Sequence, residues 1–324
     1  MTLRWGILGT ARIAEEQVIP AIRAEEGHEL VAVASRDEAK AQAWARTVGA
    51  SRAYGSYEAL LADPDVDAVY IPLPNHLHAE WTRRAAEAGK HVLCEKPAAL
   101  TAPELDGMIC TCEKHGVVFM EAFMYAFHPQ WARVREWLAS GKLGDVIEVR
   151  SRHGFILDRP EDIRWDPAMG GGALYDVGCY CVHAMVSTFG EDLPQSIAAI
   201  AHRSPSGVDA TLRALFRMNG GVIGTFQCSF EQPRAQGFTI LGSGGVLHLN
   251  LPFRPDRGLP QLTVEVRGST ITELFFEDFP IYQAEIRYFA ECIAQGRQPE
   301  REHRWSLATA RWLDAIHAAA RAES

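Results

Sequence analysis

Three residues of this chain have the types and settings to move a proton: Lys96, Asp176 and Tyr180. Asp176 and Tyr180 stand four apart in Gly170-Gly171-Gly172-Ala-Leu-Tyr-Asp176-Val-Gly-Cys-Tyr180, the spacing that places two side chains on one helix face. Lys96 lies in Cys94-Glu95-Lys96-Pro97, where a strand predicted over His91 to Cys94 gives way to a loop and proline forbids simple continuation. A free phenol titrates near ~10, too high for an efficient base at neutral pH, whereas a nearby ammonium stabilises the phenolate. Tyr180 with Lys96 would form such a pair, and Asp176 could orient the lysine or hydrogen-bond a substrate. Plainer roles stay open: Asp176 as a helix cap, Tyr180 as a core aromatic, Lys96 as surface charge. Arg164 and Trp165, just before the glycine run, are candidates to hydrogen-bond and stack on a sugar, with a structural place for Trp165 the alternative.

The elements that must position these residues follow from hydrophobic periodicity. Strands are predicted at Leu3 to Leu8, Leu30 to Ala34, Val66 to Ile71, His91 to Cys94 and Val117 to Met120. Helices are predicted between them at Ile13 to Ala24, Ala39 to Val48, His76 to Ala88 and Ala102 to His115. This alternation is the pattern of a doubly wound parallel sheet, an α/β Rossmann domain assigned to residues 1–123. From residue 124 to 324 the pattern changes to an α+β domain with an open-faced, mostly antiparallel sheet. A helix at Pro129 to Ser140 precedes strands at Val146 to Phe155, Thr211 to Met218, Val222 to Phe230, Phe238 to Leu241, Val246 to Leu249, Leu262 to Val266 and Ile271 to Phe276. Helices over Tyr282 to Gln295 and Trp305 to Ala320 close the chain. Too few helices remain to cover both sheet faces, so a homodimer, or a larger assembly, is expected through this sheet.

A nucleotide site is expected where the first strand meets the first helix, in Gly6-Ile-Leu-Gly9-Thr10-Ala11-Arg12-Ile13-Ala14. A glycine there lets phosphate reach the free N–H groups and dipole of the helix N-terminus, although the spacing departs from G-x-G-x-x-G. The contacts expected are Gly9, Thr10, Ala11, Arg12 and Ile13. The second strand ends Ser35-Arg36-Asp37, where a hydroxyl and a guanidinium suit a 2′-phosphate; NADP is favoured, NAD is the alternative, and Asp37 begins or caps the next helix. Pro72, Asn75, His78, Glu95 and Lys96 complete the set, at strand ends where ligands of such sheets collect.

Composition bounds the partners. A net charge of −9 argues against nucleic-acid or anionic-membrane binding, and no apolar run is long enough to span a bilayer. No signal peptide is evident, and seven cysteines lack the spacing of a disulfide scaffold, so a cytoplasmic enzyme is expected. No metal is expected: Cys110/Cys112 and Cys179/Cys181 lack a second ligand pair and read as buried small hydrophobes, and His76/His78 lack a third ligand. His183, seven residues after Asp176, shares its face as a supporting partner.

Together these motifs resemble the glucose–fructose oxidoreductase, inositol dehydrogenase and rhizopine-catabolism (Gfo/Idh/MocA) family over essentially the whole chain. Ala88-Gly-Lys-His-Val-Leu-Cys-Glu95-Lys96-Pro97 carries the resemblance most specifically. The glycine run through Tyr180, with Glu121-Ala-Phe-Met-Tyr125, is similar to the branch of glucose–fructose oxidoreductase, NADP-dependent D-xylose dehydrogenase and dimeric dihydrodiol dehydrogenase. That resemblance implies an acid/base tyrosine at Tyr180, with the branch's aspartate at Asp176 and its lysine at Lys96. The arginine following the branch's tyrosine is Ala126 here. Inositol dehydrogenases carry histidine at the Tyr180 position, which disfavours a cyclitol. The implied function is an NADP-dependent aldose 1-dehydrogenase with a dissociating cofactor. The alternatives are a trans-dihydrodiol dehydrogenase or carbonyl reductase, favoured by an apolar pocket of Phe155, Trp165 and Phe238, and a non-catalytic NADP(H)-binding sensor or scaffold.

Overall fold

In a computed structural model of the chain, residues 2–275 and 278–322 are described, so Phe276, the expected end of one strand, lies outside the described residues. The chain divides into two compact units, Met1–Met124 with Tyr282–Arg304, and Tyr125–Ile281 with Trp305–Ser324. A single division after residue 123 would assign Tyr282–Arg304 to the second unit. That segment instead packs within the first: the ring of Phe289 lies 5.6 Å from that of Trp5, and His303 Nε2 lies 2.8 Å from the Phe119 carbonyl oxygen.

In the first unit, strands β1 (Leu3–Leu8), β2 (His28–Ala34), β3 (Arg52–Tyr54), β4 (Ala68–Ile71), β5 (His91–Cys94) and β6 (Phe119–Glu121) alternate with helices α1 (Ile19–Ala24), α2 (Glu38–Val48), α3 (Tyr57–Leu61), α4 (Asn75–Glu87) and α5 (Ala102–Lys114). The strands run parallel in the order β3-β2-β1-β4-β5-β6. Ile7, Val33, Val69 and Leu93 are wholly buried, as strands covered on both faces require. The order reverses between β1 and β4, the point where such sheets open a crevice at the strands' carboxyl ends. The expected helix over Ile13 to Ala24 opens instead as a π turn, Ala14–Val18, before α1. Pro20 has no N–H to donate into an α-helical ladder, so the register shifts at this point. Periodicity missed β3 and α3, which are too short to display one.

The second unit holds α6 (Pro129–Ala139), β7 (Val146–Ile156), α7 (Cys179–Phe189), β8 (Ser196–Arg203), β9 (Asp209–Arg217), β10 (Ile223–Ser229), β11 (Glu231–Gly242), β12 (Gly245–Leu249), β13 (Gln261–Val266) and β14 (Ser269–Leu274). Its eight strands are ordered β14-β13-β12-β11-β7-β10-β9-β8. Only β7 and β10 pair parallel; the other neighbours are antiparallel. Helix α8 (Ile281–Ala294) belongs to the first unit, and α9 (Glu300–Ala322) has its first turn there and the rest in the second. Strand β8 was not expected, because the alanines of Ser-Ile-Ala-Ala-Ile-Ala-His-Arg blur its alternation. One sheet face buries Leu212, Phe216, Phe226, Phe238 and Ile240. The opposite face exposes Ile200 (68%), Leu215 (51%) and Leu274 (62%) among polar neighbours. Among the described residues no helix is long and apolar enough to cross a membrane.

Candidate active site

The glycine run does not open a simple α-helix. Leu174–Gly178 forms a π turn, with the Cys179 N–H donating to the Leu174 carbonyl oxygen, and α7 follows. Asp176 therefore lies in the turn and Tyr180 at the start of α7, a correction to one uninterrupted helix. Nor does Asp176 cap the segment. Asp209, the first residue of β9, accepts the Leu174 N–H at 2.6 Å. Gly172 has φ +118°, and a Cβ there would collide with Asp209 Oδ1, which explains a glycine at this position. Asp209 is 8% exposed; burial pushes its pKa up to about 6, against the pull of the Leu174 and Ala173 amides and Arg203.

Asp176 takes the Arg164 Nε–H at 2.8 Å, so two residues expected at a substrate meet as an ion pair. Asp162 holds the same guanidinium from Nη1 at 3.1 Å. The Gly172 N–H donates to the Arg164 carbonyl oxygen at 3.0 Å, tying this loop to the turn. Trp165 packs edge-on against Phe230, with centroids 5.3 Å apart, and Phe155 lies 5.4 Å from the same ring. Phe238 does not join them. It is wholly buried against Trp131 and pairs with Ser151, four residues along β7 from Phe155.

Tyr180 is 6% exposed, and the rings of His153, Phe253 and Tyr125 lie 5.2, 5.7 and 5.6 Å from its own. Behind it, the Tyr125 hydroxyl and His183 Nδ1 are 2.6 Å apart and buried. Burial pushes the Tyr125 phenol up and the His183 imidazole down to about 3, so this pair is neutral at pH 7. His183 thus bonds to Tyr125, whose ring lies beside that of Tyr180. Asp162, Asp209, His153 and Phe253 were missed by sequence reasoning. A charged residue set between apolar neighbours at the start of a strand, Val208-Asp209-Ala210, was the available signal for one of them.

In the first unit Lys96 follows β5 and is half-buried, and the Lys96–Pro97 bond is cis. Glu95 Oε1 accepts the Tyr70 hydroxyl at 2.5 Å, while Oε2 accepts the Lys96 N–H at 3.2 Å. His78 was expected at the cofactor. Its ring is wholly buried, with Nδ1 2.8 Å from the Pro97 carbonyl oxygen and Nε2 2.7 Å from that of Leu73, so neither nitrogen is left for a dinucleotide. Instead it lies between the loops after β4 and β5, and because burial pushes its pKa down to about 4, the neutral ring donates its one N–H to one of these two carbonyls. His76 is exposed, so the two histidines do not form a pair. Cys112, Cys179 and Cys181 are buried, whereas Cys110 is exposed, contrary to expectation, because residues two apart on α5 face different ways.

At the end of β1, Gly9 has φ +105° and donates its N–H to Ala34 at 2.9 Å. A Cβ at Gly9 would come within 3.0 Å of Leu73 Cδ2. Thr10, Ala11, Arg12 and Ile13 lead from it into the π turn, with Arg12 exposed. Ser35 is buried, its Oγ accepting the Asp37 N–H at 3.3 Å, and Asp37 caps α2 through Lys40 N–H at 3.1 Å. Arg36 is exposed beside the Tyr57 hydroxyl. Pro72 is buried after β4, and Asn75 opens α4.

Residues 3–123 match the model of the oxidoreductase family with an NAD-binding Rossmann fold, and residues 131–248 match the GFO/IDH/MocA C-terminal domain. This chain belongs to the Gfo/Idh/MocA oxidoreductase family. It is 42% identical to D-xylose 1-dehydrogenase (NADP(+)) 2 of Haloferax volcanii, over 98% of this chain and 97% of that one. It is 36% identical to trans-1,2-dihydrobenzene-1,2-diol dehydrogenase of Mus musculus, over 79% of this chain and 77% of that one. Among solved structures it resembles KijD10, a 3-ketoreductase from Actinomadura kijaniata in complex with NADP and TDP-benzene, with a TM-score of 0.92, 32% identity and 98% of each chain covered. Like its dehydrogenase and reductase relatives, this Gfo/Idh/MocA member is an NAD(P)-dependent oxidoreductase, which sets aside the non-catalytic reading. The residues at β1 and β2 fit a dinucleotide: Gly9 turns the chain from β1 toward the helix at a φ that a side chain would strain, and the exposed Arg36 follows the hydroxyl of Ser35.

Proposed function

We propose that this enzyme is an NADP-dependent aldose 1-dehydrogenase of the D-xylose or D-glucose type. The observation that carries the reading is 42% identity, spanning 98% of the chain, to an NADP-dependent D-xylose 1-dehydrogenase. Gly9 to Ile13 would receive the pyrophosphate, Ser35 and Arg36 the 2′-phosphate, and Pro72, Asn75, Glu95 and Lys96 the remainder. When bound, the nicotinamide supplies the carbon that exchanges hydride with the substrate carbinol carbon. Tyr180 exchanges the hydroxyl proton, and the Lys96 ammonium stabilises its phenolate. Asp176, already held by Arg164, orients the hydroxyl, and Arg164 has further N–H donors for a second sugar oxygen. Burial of Tyr180 among aromatic rings limits water at the proton-transfer atom.

A trans-dihydrodiol or another carbonyl compound is the second reading, and the Phe155–Phe230–Trp165 cluster beside Arg164 is what favours it. The absence of Phe238 from that cluster supports the polyol. A homodimer through the exposed face of the eight-stranded sheet, rather than a larger assembly, belongs to the same proposal, with Ile200, Leu215 and Leu274 its apolar contacts. So does a cytoplasmic location, which suits seven cysteines that form no disulfide with one another.

The test is absorbance at 340 nm with NADP and NAD against aldoses, cyclitols and a trans-dihydrodiol. Turnover of an aldose with NADP is expected. Turnover of the dihydrodiol alone would move the assignment to the second reading.

A further inference from the structure

We propose that Asp209 is a positioning residue for the proton-transfer site, clamping the entry of the turn that carries Asp176 and leads into Tyr180. The clamp attaches β9 to a hydrogen-bonded circuit that runs through Gly172, Arg164 and Asp176. Asp209 Oδ2 accepts the Leu174 N–H at 2.6 Å, the Gly172 carbonyl accepts the Asp176 N–H at 3.1 Å, and the Gly172 N–H reaches Arg164 O at 3.0 Å. Arg164 Nε closes it on Asp176 Oδ2 at 2.8 Å. A side chain at Gly172 would strike Asp209 Oδ1, so turn and carboxylate are in direct contact. None of these bonds originates from β9 except through Asp209, which therefore fixes the turn to the sheet.

A carboxylate holds amide donors about twice as strongly as a neutral acceptor does. Among the described residues, titratable and charged groups around Asp209 include Arg203, its register partner on β8, and Cys228 on β10, whose thiol burial keeps neutral and which itself lies near Cys179 and Cys181 of α7. With one cation at its side and its pKa near 6, Asp209 loses its charge in mildly acid solution, and the clamp loosens there. The turn then holds Asp176 and Tyr180 less firmly while the fold persists.

The effect on catalysis rests on the proposed role of Tyr180, whereas the clamp itself does not. Hydrogen exchange of the 172–182 segment in the full-length protein, corrected for intrinsic rates, reads the clamp without substrate. Wild type should lose protection of this segment as pH falls through about 6, and Asp209→Asn should be roughly tenfold less protected and insensitive to pH. In turnover assays Asp209→Asn should lower kcat roughly tenfold, abolish an acid limb near pH 6 and leave NADPH affinity unchanged. Protection in wild type that is constant between pH 5 and 8, or an acid limb retained in Asp209→Asn, would overturn the proposal. The wild-type pH series needs no variant, so a misfolded Asp209→Asn does not remove the test. Absence of turnover with any sugar, alongside the predicted exchange behaviour, would count against the aldose reading alone.

Discussion

Tyr180 reaches its partners as one ring in an aromatic group with His153, Phe253 and Tyr125, so removing only its oxygen should leave that packing intact. Tyr180→Phe is expected to lower kcat by about 10²–10⁴ while NADPH binding, followed by fluorescence, stays at the wild-type level. Equal losses in both would sink the assigned role. Glu285 presents a different residue-scale problem. It is 1% exposed, its Oε1 has no hydrogen-bond partner, and burial next to Glu95 raises its pKa well above the ordinary carboxylate value. The folded state therefore keeps a proton that the unfolded chain releases above about 4.5, and stability contributed by this group falls as pH rises from there. Glu285→Met, similar in volume and without charge, should raise stability at pH 7 by about 1–3 kcal/mol and flatten its decline with pH. Calorimetric melting from pH 5 to 8 would show this; a lower Tm at every pH would refute it.

The loops after β4 and β5 both pack on the buried ring of His78, which donates its one N–H to a carbonyl of one of them. Truncating it to alanine opens a cavity and strands a buried carbonyl, at a cost of about 2–4 kcal/mol. His78→Ala should therefore lower Tm and weaken NADPH binding, through displacement of Lys96 and its neighbours; unchanged affinity in the folded variant would show the loops to be independent. At this scale the limits of sequence reading are physical. The long, strongly periodic elements β1, β2, α2, α4 and α5 were legible, as was the Asp37 cap, because each is specified by its own residues. Strands β3 and β8 were not, one being too short and the other too rich in alanine to show alternation. Of the site, the types and spacing of Lys96, Asp176 and Tyr180 were visible, while the grip of Asp209 on Leu174 was not. That contact spans 35 residues and depends on how β9 meets a π turn. His78 was misjudged for the same reason, since its partners are backbone atoms.

For the whole molecule, the exposed sheet face offers a repulsion test. Leu215 lies between Arg213 and Arg217 on the same face, so Leu215→Arg makes a run of like charge that a two-fold interface would bring against itself. Sedimentation should show wild type as a dimer and Leu215→Arg as a monomer, and an unchanged mass would place the interface elsewhere. The chain also passes from one compact unit to the other at residues 124, 281 and 304, so neither unit is a continuous stretch. A fragment ended at residue 123 would expose the face of Trp5 that Phe289 covers and release the Phe119 carbonyl from His303. Transplanting the nucleotide half into another enzyme thus requires splicing two distant segments, 2–124 and 282–304, across a new linker. The same interleaving means that a gene cut at the midpoint yields no independent half, which ties the inheritance of cofactor use to that of substrate choice.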